Sequence, residues 1–215
     1  MHAVIFSGGI VEKGIAVDES LKEAELILAA DSGAERAVQY GIFPSHVLGD
    51  FDSLSPETRE VLAGKGVVFE SFSAEKDETD TELAVVFAKK QGAIIIDILG
   101  GVDGNRLDHV LANVFLTFYP GIAIRFINGN QISWITKGPE TVEISAASGD
   151  LLSLLPLSET VEGITTTNLQ YPLRNGDLFL GKSRGISNVL LSDHATVFFS
   201  KGTLLFVHTL TEGSK

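Results

Sequence analysis

The sequence predicts an α/β protein, in which a domain built on a parallel sheet precedes a C-terminal antiparallel β-sandwich. Up to about residue 120, short apolar runs alternate with helical patterns, which is typical of a parallel sheet with right-handed crossovers. Beyond that point the helical periodicity fades, and β-rich runs are separated by Gly, Asn, Pro and Ser. The first domain is therefore predicted to be Rossmann-like. The boundary is predicted near Asn128-Gly129-Asn130, with domains at 1–128 and 129–215.

Strands and helices of the first domain can be placed by their apolar runs and helix-end signals. Ser55-Pro56 is typical of an N-cap and first helical residue, and Thr79 with Glu82 matches a capping box. We expect Leu83, Val86 and Phe87 on the core face of the helix that Thr79 opens. Gly41 is expected to end an earlier helix. Predicted strands are 3–6, 26–30, 46–48, 67–69 and 93–99, and apolar residues from 107 to 118 recur with a helical period.

The runs after Pro120 are predicted to be antiparallel strands. They cover residues 122–127, 131–136, 141–145, 151–154, 177–180, 196–199 and 203–209.

Composition excludes several classes of function. The chain has 28 acidic and 16 basic residues, a net charge of −12, and no Lys/Arg-rich run. A nucleic-acid or anionic-membrane surface is disfavoured, because such surfaces need clustered positive charge. The absence of cysteine excludes disulfides, thiolate catalysis and Cys-ligated zinc. With neither a signal-peptide pattern nor a long apolar span, a cytoplasmic protein is expected.

Polar motifs follow four of the predicted strands directly. Ligands of parallel α/β sheets bind beyond the carboxyl ends of the strands, so these motifs are expected to share one site. They are Ser7-Gly8-Gly9, Asp31-Ser32-Gly33, Gly49-Asp50-Phe51-Asp52-Ser53 and the segment from Gly100 to Asp108.

Asp50 and Asp52 form the pair most indicative of chemistry. In extended backbone their carboxylates point the same way, and they would repel each other unless a cation or a proton intervened. Carboxylate oxygens suit Mg²⁺, which is commonly shared with substrate phosphates. Asp31 by itself is better explained as an acid at a helix start. For Asp80 the two explanations are balanced.

The glycine-rich turn from Gly100 to Gly104 is predicted to open a helix and to hold phosphate oxygens with its backbone N–H groups. Arg106 would add a bidentate contact. The alternative is an ordinary loop with Asp108 in the first turn of the helix.

Residues 176–183 match the P-loop pattern by chance. A P-loop needs a strand before it and a helix after it, whereas the spacer Asp177 to Leu180 is itself strand-like. We therefore predict an antiparallel strand here.

Five motifs, in order along nearly the whole chain, resemble those of bacterial thiamine pyrophosphokinases. The resemblance implies a Mg²⁺-dependent homodimeric enzyme that transfers the pyrophosphoryl group of ATP to the hydroxyl of thiamine and releases AMP. It implies an ATP- and Mg²⁺-binding catalytic domain at 1–128 and a thiamine-binding domain at 129–215. The motifs are Asp31-Ser32-Gly33, Gly49-Asp50-Phe51-Asp52-Ser53, Glu75-Lys76-Asp77-Glu78-Thr79-Asp80, the segment from Gly100 to His109, and Ser183-Arg184-Gly185-Ile186-Ser187-Asn188.

The resemblance also implies roles for individual residues. The implied metal ligands are Asp50, Asp52 and Asp80. The implied catalytic set adds Asp31, Arg106 and Asp108 to these. The implied ATP-binding residues are Gly8, Gly9, Asp31, Thr79, Arg106 and Asp108. The implied thiamine-binding residues are Lys76, Tyr171, Ser187 and Asn188, and animal members of the family have Trp where this chain has Tyr171.

Two other functions remain open at this level. One is a regulatory module that binds thiamine or nucleotide without turnover. The other is a Mg²⁺-dependent diphosphotransferase acting on a different alcohol, such as a pterin or a sugar alcohol. The intact acidic set with Arg106 argues against the module, since binding alone needs no metal site. The general base, the number of metal ions and the nucleotide selectivity stay open.

Overall fold

The computed structural model describes residues 1–73, 77–104 and 106–211, and the chain divides into two units, Met1–Gly129 and Asn130–Lys215. The first unit combines helices with a parallel sheet, and the second is built from antiparallel strands. The predicted fold class is therefore confirmed. Among the described helices, none is both long and apolar enough to cross a bilayer.

The described part of the first unit has a six-stranded parallel sheet, in the order β6-β5-β1-β2-β3-β4. Its strands are β1 (His2–Phe6), β2 (Leu26–Ala30), β3 (His46–Gly49), β4 (Val68–Ser71), β5 (Ile95–Leu99) and β6 (Ala123–Asn128). Its helices are α1 (Ile15–Glu23), α2 (Gly33–Gln39), α3 (Pro56–Gly64), α4 (Asp80–Lys90) and α5 (Leu107–Leu116). The strand order reverses between β1 and β5, which creates the crevice where such sheets bind ligands.

Side-chain caps place two of these helices as predicted. The Ser55 hydroxyl accepts a hydrogen bond from the Thr58 N–H at 3.3 Å, and Pro56 opens α3. The Thr79 hydroxyl accepts one from the Glu82 N–H at 3.1 Å, so that α4 begins at Asp80. Each cap satisfies a backbone donor that the first helical turn leaves without a partner.

The core face of α4 differs in part from the predicted one: Phe87 packs against the core and Leu83 is half-buried, but other residues are buried more deeply. The helix buries Thr81, Ala84, Val85 and Ala88, whereas Val86 is 39 % exposed. Both sets recur with a helical period, so periodicity could not separate them. The small side chains face inward because α4 packs directly on β2 and β3.

The run predicted at 122–127 was assigned the wrong kind of strand. It forms β6, which pairs in parallel with β5 rather than joining the antiparallel strands. The helix α5 supplies the crossover that a parallel pair requires.

The second unit contains two antiparallel layers, in the orders β12-β9-β14-β7 and β11-β10-β13-β8. Its core consists of residues such as Leu152, Val161, Val197, Phe199 and Phe206, contributed by strands of both layers. The strands are β7 (Gln131–Lys137), β8 (Glu140–Ser145), β9 (Leu151–Pro156), β10 (Thr160–Thr167), β11 (Gly176–Phe179), β12 (Asn188–Val189), β13 (His194–Phe199) and β14 (Thr203–Thr209).

The rejected P-loop pattern begins in strand β11, which pairs antiparallel with β10. No helix follows it in the described part of the second unit, so the prediction of a chance match is confirmed.

Candidate active site

An acidic cleft lies at the carboxyl ends of β1, β2 and β3, beside the first turn of α4. Its volume is about 620 Å³. The position agrees with the general rule for parallel α/β sheets. Its lining residues are Ser7, Gly8, Ala30, Asp31, Ser32, Asp50, Asp52, Ser53, Glu78, Thr79, Asp80, Thr81, Arg106 and His109.

Three carboxylates converge in this cleft. One oxygen each from Asp31, Asp50 and Asp52 lies within 4.8 Å of the others. The metal ligands implied by the family resemblance are Asp50, Asp52 and Asp80. The converging trio contains Asp31 with the first two, and Asp80 lines the same cleft.

The Asp50–Asp52 segment reaches this arrangement through a turn rather than through extended backbone. Strand β3 ends at Gly49, and the next residue but one, Phe51, has a positive φ of 64°. The Asp50 carboxylate accepts a hydrogen bond from the Asp52 N–H at 3.2 Å. The Asp52 carboxylate accepts one from the Ser53 hydroxyl at 2.8 Å.

Asp31 is the most buried member of the trio, with 9 % exposure. Its buried Oδ1 has no hydrogen-bond partner among the described residues. Burial is the main cause that raises the pKa of the Asp31 carboxyl, and the charges of Asp80 and Asp52 raise it further. The nearby Ser32 N–H and Ser53 hydroxyl dipoles oppose this rise. A buried carboxylate oxygen without a protein partner has the donor chemistry to bind a cation.

Gly49 allows the acids to come together. A Cβ at this position would lie 3.1 Å from the Asp31 Cβ and 3.3 Å from the Asp80 Oδ1. Its φ of 149° is also one that side chains disfavour. Glycine is therefore required here by both space and conformation.

A second, glycine-lined cleft of about 210 Å³ lies at the switch point between β1 and β5. A Cβ on Gly9 would overlap the carbonyl oxygens of Gly100 and Asp103. The backbones of the loop after β1 and the loop after β5 are therefore in direct contact. The buried Asn113 amide donates a 2.7 Å hydrogen bond to the Gly101 carbonyl and holds the turn from below. Exposed backbone at a helix start suits phosphate oxygens.

The beginning of α5 contributes one face to these clefts. Arg106 and His109 line both, and Val110 and Asn113 line the glycine cleft. These positions are i, i+3, i+4 and i+7 of a helix, so they share a face. Asp108 lies off that face and lines neither cleft. His109 was missed as a candidate, although its spacing from Arg106 could have identified it.

Arg106 and Asp108 form an exposed bidentate ion pair. The guanidinium donates to the carboxylate at 3.3 Å from Nε and at 2.6 Å from an Nη atom. The hydrogen bond to Asp108 raises the pKa of Arg106, and the same bond lowers the pKa of Asp108. The ion pair therefore orients the Arg106 guanidinium. Asp108 itself lines neither cleft, so it affects them through its bonds to Arg106.

The second unit has a pocket of about 570 Å³ around Tyr171. The Asn188 amide oxygen accepts from the Tyr171 N–H at 3.0 Å, and its NH₂ group donates to the Tyr171 carbonyl at 2.8 Å. Asn188 thus fixes the backbone of Tyr171, a residue that is 67 % exposed. The lining residues are Leu154, Thr166, Leu169, Gln170, Tyr171, Pro172, Leu173, Ser183, Arg184, Gly185, Ile186 and Asn188.

The other two residues predicted to bind thiamine are Ser187 and Lys76. Ser187 does not line this pocket; its φ is 54°, and its N–H donates to the Ser153 hydroxyl at 2.9 Å. Lys76 lies outside the described residues.

Comparison with known proteins gives a consistent result for both units. Residues 17–125 match the family model "Thiamin pyrophosphokinase, catalytic domain", and residues 140–204 match "Thiamin pyrophosphokinase, vitamin B1 binding domain". A thiamine pyrophosphokinase of Bacillus subtilis is 33 % identical over 192 residues, which cover 87 % of this chain and 88 % of that protein.

Solved structures agree with the sequence matches. The crystal structure of thiamine pyrophosphokinase from Bacillus subtilis has a TM-score of 0.85 at 29 % identity, covering 98 % of this chain and 99 % of that one. The corresponding structure from Geobacillus thermodenitrificans has a TM-score of 0.82 at 28 % identity and full coverage of both chains, at 100 % each. The matches extend over both units, and most residues that line the acidic and glycine-lined clefts lie within the segment matched as catalytic; Ser7, Gly8 and Gly9 precede it. The chain therefore belongs to the thiamin pyrophosphokinase family of enzymes.

Proposed function

We propose that the chain transfers the pyrophosphoryl group of ATP to the hydroxyl of thiamine, in a Mg²⁺-dependent reaction that yields thiamine diphosphate and AMP. The observation that carries this proposal is the convergence of Asp31, Asp50 and Asp52 within 4.8 Å in the cleft of a chain of this family. The adjoining glycine cleft supports it, because that cleft offers backbone donors for phosphate oxygens.

The acidic cleft has the donor chemistry that Mg²⁺ requires. Mg²⁺ takes oxygen ligands and is commonly held by one or two carboxylates together with substrate phosphates. Asp31, Asp50 and Asp52 offer such oxygens. Among the described residues, the Oδ1 atom of Asp31 accepts no hydrogen bond, so it is available to a cation. When bound, Mg²⁺ would neutralise the negative charge that these carboxylates and a triphosphate would otherwise bring together.

The protein's own residues contribute position and charge. Arg106 and the backbone of the Gly100–Gly101 turn bind phosphate oxygens, and Asp108 orients the Arg106 guanidinium. The thiamine hydroxyl oxygen bonds to the β-phosphorus, and the bond from that phosphorus to the oxygen bridging the α-phosphorus breaks. The electron pair leaves with AMP, and a carboxylate of the acidic cleft accepts the hydroxyl proton. Phosphoryl transfer depends mainly on such positioning and charge stabilisation.

The pocket around Tyr171 is proposed as the thiamine site. Thiamine carries a positive charge and an aromatic ring, both of which favour the face of an aromatic side chain. In this proposal the ring of Tyr171 stacks on thiamine, and Asn188 acts by holding the Tyr171 backbone.

An assay for AMP release from ATP, with and without thiamine, tests the function. We expect thiamine-dependent AMP and thiamine diphosphate in equal amounts. ADP as the product would contradict the proposal. Thiamine binding without any turnover would favour the regulatory module, and AMP release with another alcohol in place of thiamine would favour the alternative transferase.

We also propose that the chain forms a homodimer. Four large apolar residues along α5 and the turn after it are 47–69 % exposed, namely Leu107, Leu111, Phe115 and Phe118. A contiguous exposed apolar stripe is typical of an interface. Sedimentation velocity should give a dimer for the unmodified chain and a monomer for Leu111→Glu/Phe115→Glu. The control is Val61→Glu, an exposed apolar position on α3. A monomeric unmodified chain at micromolar concentration would contradict this proposal.

A further inference from the structure

Phe51 has a backbone conformation that a bulky side chain disfavours. Its φ is 64°, in the left-handed region where glycine is the usual residue. It separates Asp50 and Asp52, two of the three converging carboxylates. An outlier of this kind persists only when the surrounding structure holds it in place, and such outliers cluster at functional sites.

The ring of Phe51 is held by two other elements of the first unit. It packs edge-to-face on Phe69 of β4, with ring centroids 5.4 Å apart and planes at 87°. The guanidinium carbon of Arg59, on α3, lies 5.6 Å from the centroid of each ring. Edge-to-face aromatic pairs and cation–π contacts are both favourable. The three side chains therefore connect the loop after β3 to α3 and β4.

The turn that these contacts hold determines where the two carboxylates point. The Asp52 N–H turns back onto the Asp50 carboxylate at 3.2 Å. The Leu54 N–H donates to the Phe51 carbonyl at 3.4 Å. A rotation of Phe51 to an ordinary negative φ would change the chain direction between Asp50 and Asp52. Their oxygens would then no longer converge with those of Asp31.

We propose that Phe51 is a positioning residue, whose ring, held by Phe69 and Arg59, keeps the Asp50 and Asp52 carboxylates beside Asp31 and so sets the affinity of the cleft for a divalent cation. This inference rests on the proposed function, because it takes the acidic cleft as the Mg²⁺ site. Phe51 itself acts through the two aspartates.

The test is the affinity of the purified full chain for Mn²⁺, measured by electron paramagnetic resonance without nucleotide. Phe51→Gly removes the ring but accepts the positive φ, so the fold should be retained. We expect it to weaken Mn²⁺ binding by about tenfold or more, the usual effect of losing a residue that orients metal ligands. Arg59→Gln and Phe69→Leu should also weaken Mn²⁺ binding. Phe51→Tyr keeps the ring and should bind Mn²⁺ with the affinity of the unmodified chain.

Lys65→Gln is the matched control, because Lys65 lies 5.0 Å over the ring of Phe43, away from the acidic loop. It removes a cation–π contact of the same kind, and Mn²⁺ binding should not change. A second readout is the Mg²⁺ dependence of turnover. In Phe51→Gly the Mg²⁺ concentration for half-maximal rate should rise, whereas in Lys65→Gln it should equal that of the unmodified chain.

Unchanged Mn²⁺ affinity in folded Phe51→Gly would overturn the inference, as would the absence of Mn²⁺ binding by the unmodified chain. Failure of the proposed function would look different. In that case the unmodified chain would bind Mn²⁺, with the expected order of variants, but would release no AMP in the presence of thiamine.

Discussion

Asp31, Asp80 and Asp108 show how residues of one type acquire different environments. Asp31 is buried with an oxygen lacking a partner, Asp80 lines the acidic cleft at the start of α4, and Asp108 is exposed beside Arg106. Only the first two are placed to act on charge that develops in the cleft. All three belong to the catalytic set that the family resemblance implies, and the geometry separates their proposed roles.

We predict that Asp80→Asn lowers kcat by about 10²-fold or more, as expected on removal of a preorganised electrostatic group. Asp108→Asn should act mainly on the KM for ATP, because it releases the Arg106 guanidinium. Both are measured with the AMP assay at saturating Mg²⁺. Near-normal turnover of Asp80→Asn would mean that Asp80 is only an acid at a helix start.

Gly9 is predicted to tolerate no side chain. Gly9→Ala would force the loops after β1 and β5 apart, because the added Cβ overlaps two carbonyl oxygens. The KM for ATP should rise and the melting temperature should fall. The control is Gly104→Ala, since Gly104 lines the same cleft but has no described atom within 4 Å of an added Cβ. Equal behaviour of the two variants would contradict the prediction.

At the scale of elements, helix starts connect stability with the site. Ser55 caps α3, which carries Arg59, and Thr79 caps α4 at the edge of the acidic cleft. The Ser55 N–H also donates to the Glu35 carboxylate at 2.9 Å, which connects the start of α3 with α2. Caps of this kind keep the first turn of a helix, and the side chains beyond it, in one orientation.

Ser55→Ala should lower the free energy of unfolding by about 1 kcal/mol, the typical effect of losing an N-cap. Ser55→Asp keeps a capping oxygen and should retain most of this stability. Urea denaturation followed by circular dichroism measures both. If the two variants lose the same free energy, the Ser55 side chain does not act as a cap.

At the scale of the whole molecule, a fully buried carboxylate joins several elements in each unit, Asp97 in the first and Asp150 in the second. In the first unit, Asp97 of β5 accepts hydrogen bonds from Arg125 at 2.6 and 2.7 Å and from Ser20 at 2.7 Å, and its carboxylate lies 2.8 Å from His2 Nε2. In the second, Asp150 contacts His208 and Thr211. Burial opposes the charge of Arg125, but the bonds to Asp97 prevail and raise its pKa.

Asp97→Ala is predicted to lower the free energy of unfolding by about 3 kcal/mol or more, because it leaves a partly buried guanidinium without its partner. Glu162→Gln is the comparison, since its ion pair with Lys201 is exposed and should contribute less than about 1 kcal/mol. Urea denaturation distinguishes the two. A similar loss in both variants would contradict the assigned role of Asp97.

The parts of the fold predicted correctly are those that depend on local signals. Ser55 and Thr79 cap helices because a hydroxyl accepts from a backbone N–H three residues ahead, which needs no distant partner. The α4 face was predicted correctly at Phe87 but not at Val86, because two sets of residues share the helical period and only the packing on β2 selects the more deeply buried one. For Asp50 and Asp52, the expected proximity is present, but a turn at Phe51 produces it.

The sequence by itself determined the α/β class, most of the elements although not α1, β10 or β12, the polar residues at strand ends and the family motifs, because alternation, capping and spacing are properties of neighbouring residues. Only the tertiary structure decided that Asp31 joins Asp50 and Asp52, that Asp108 lines neither cleft, and that Phe51 is held by Phe69 and Arg59. These groupings bring together side chains from separate strands and helices. Their distances depend on sheet order, strand ends and packing, which no local pattern specifies.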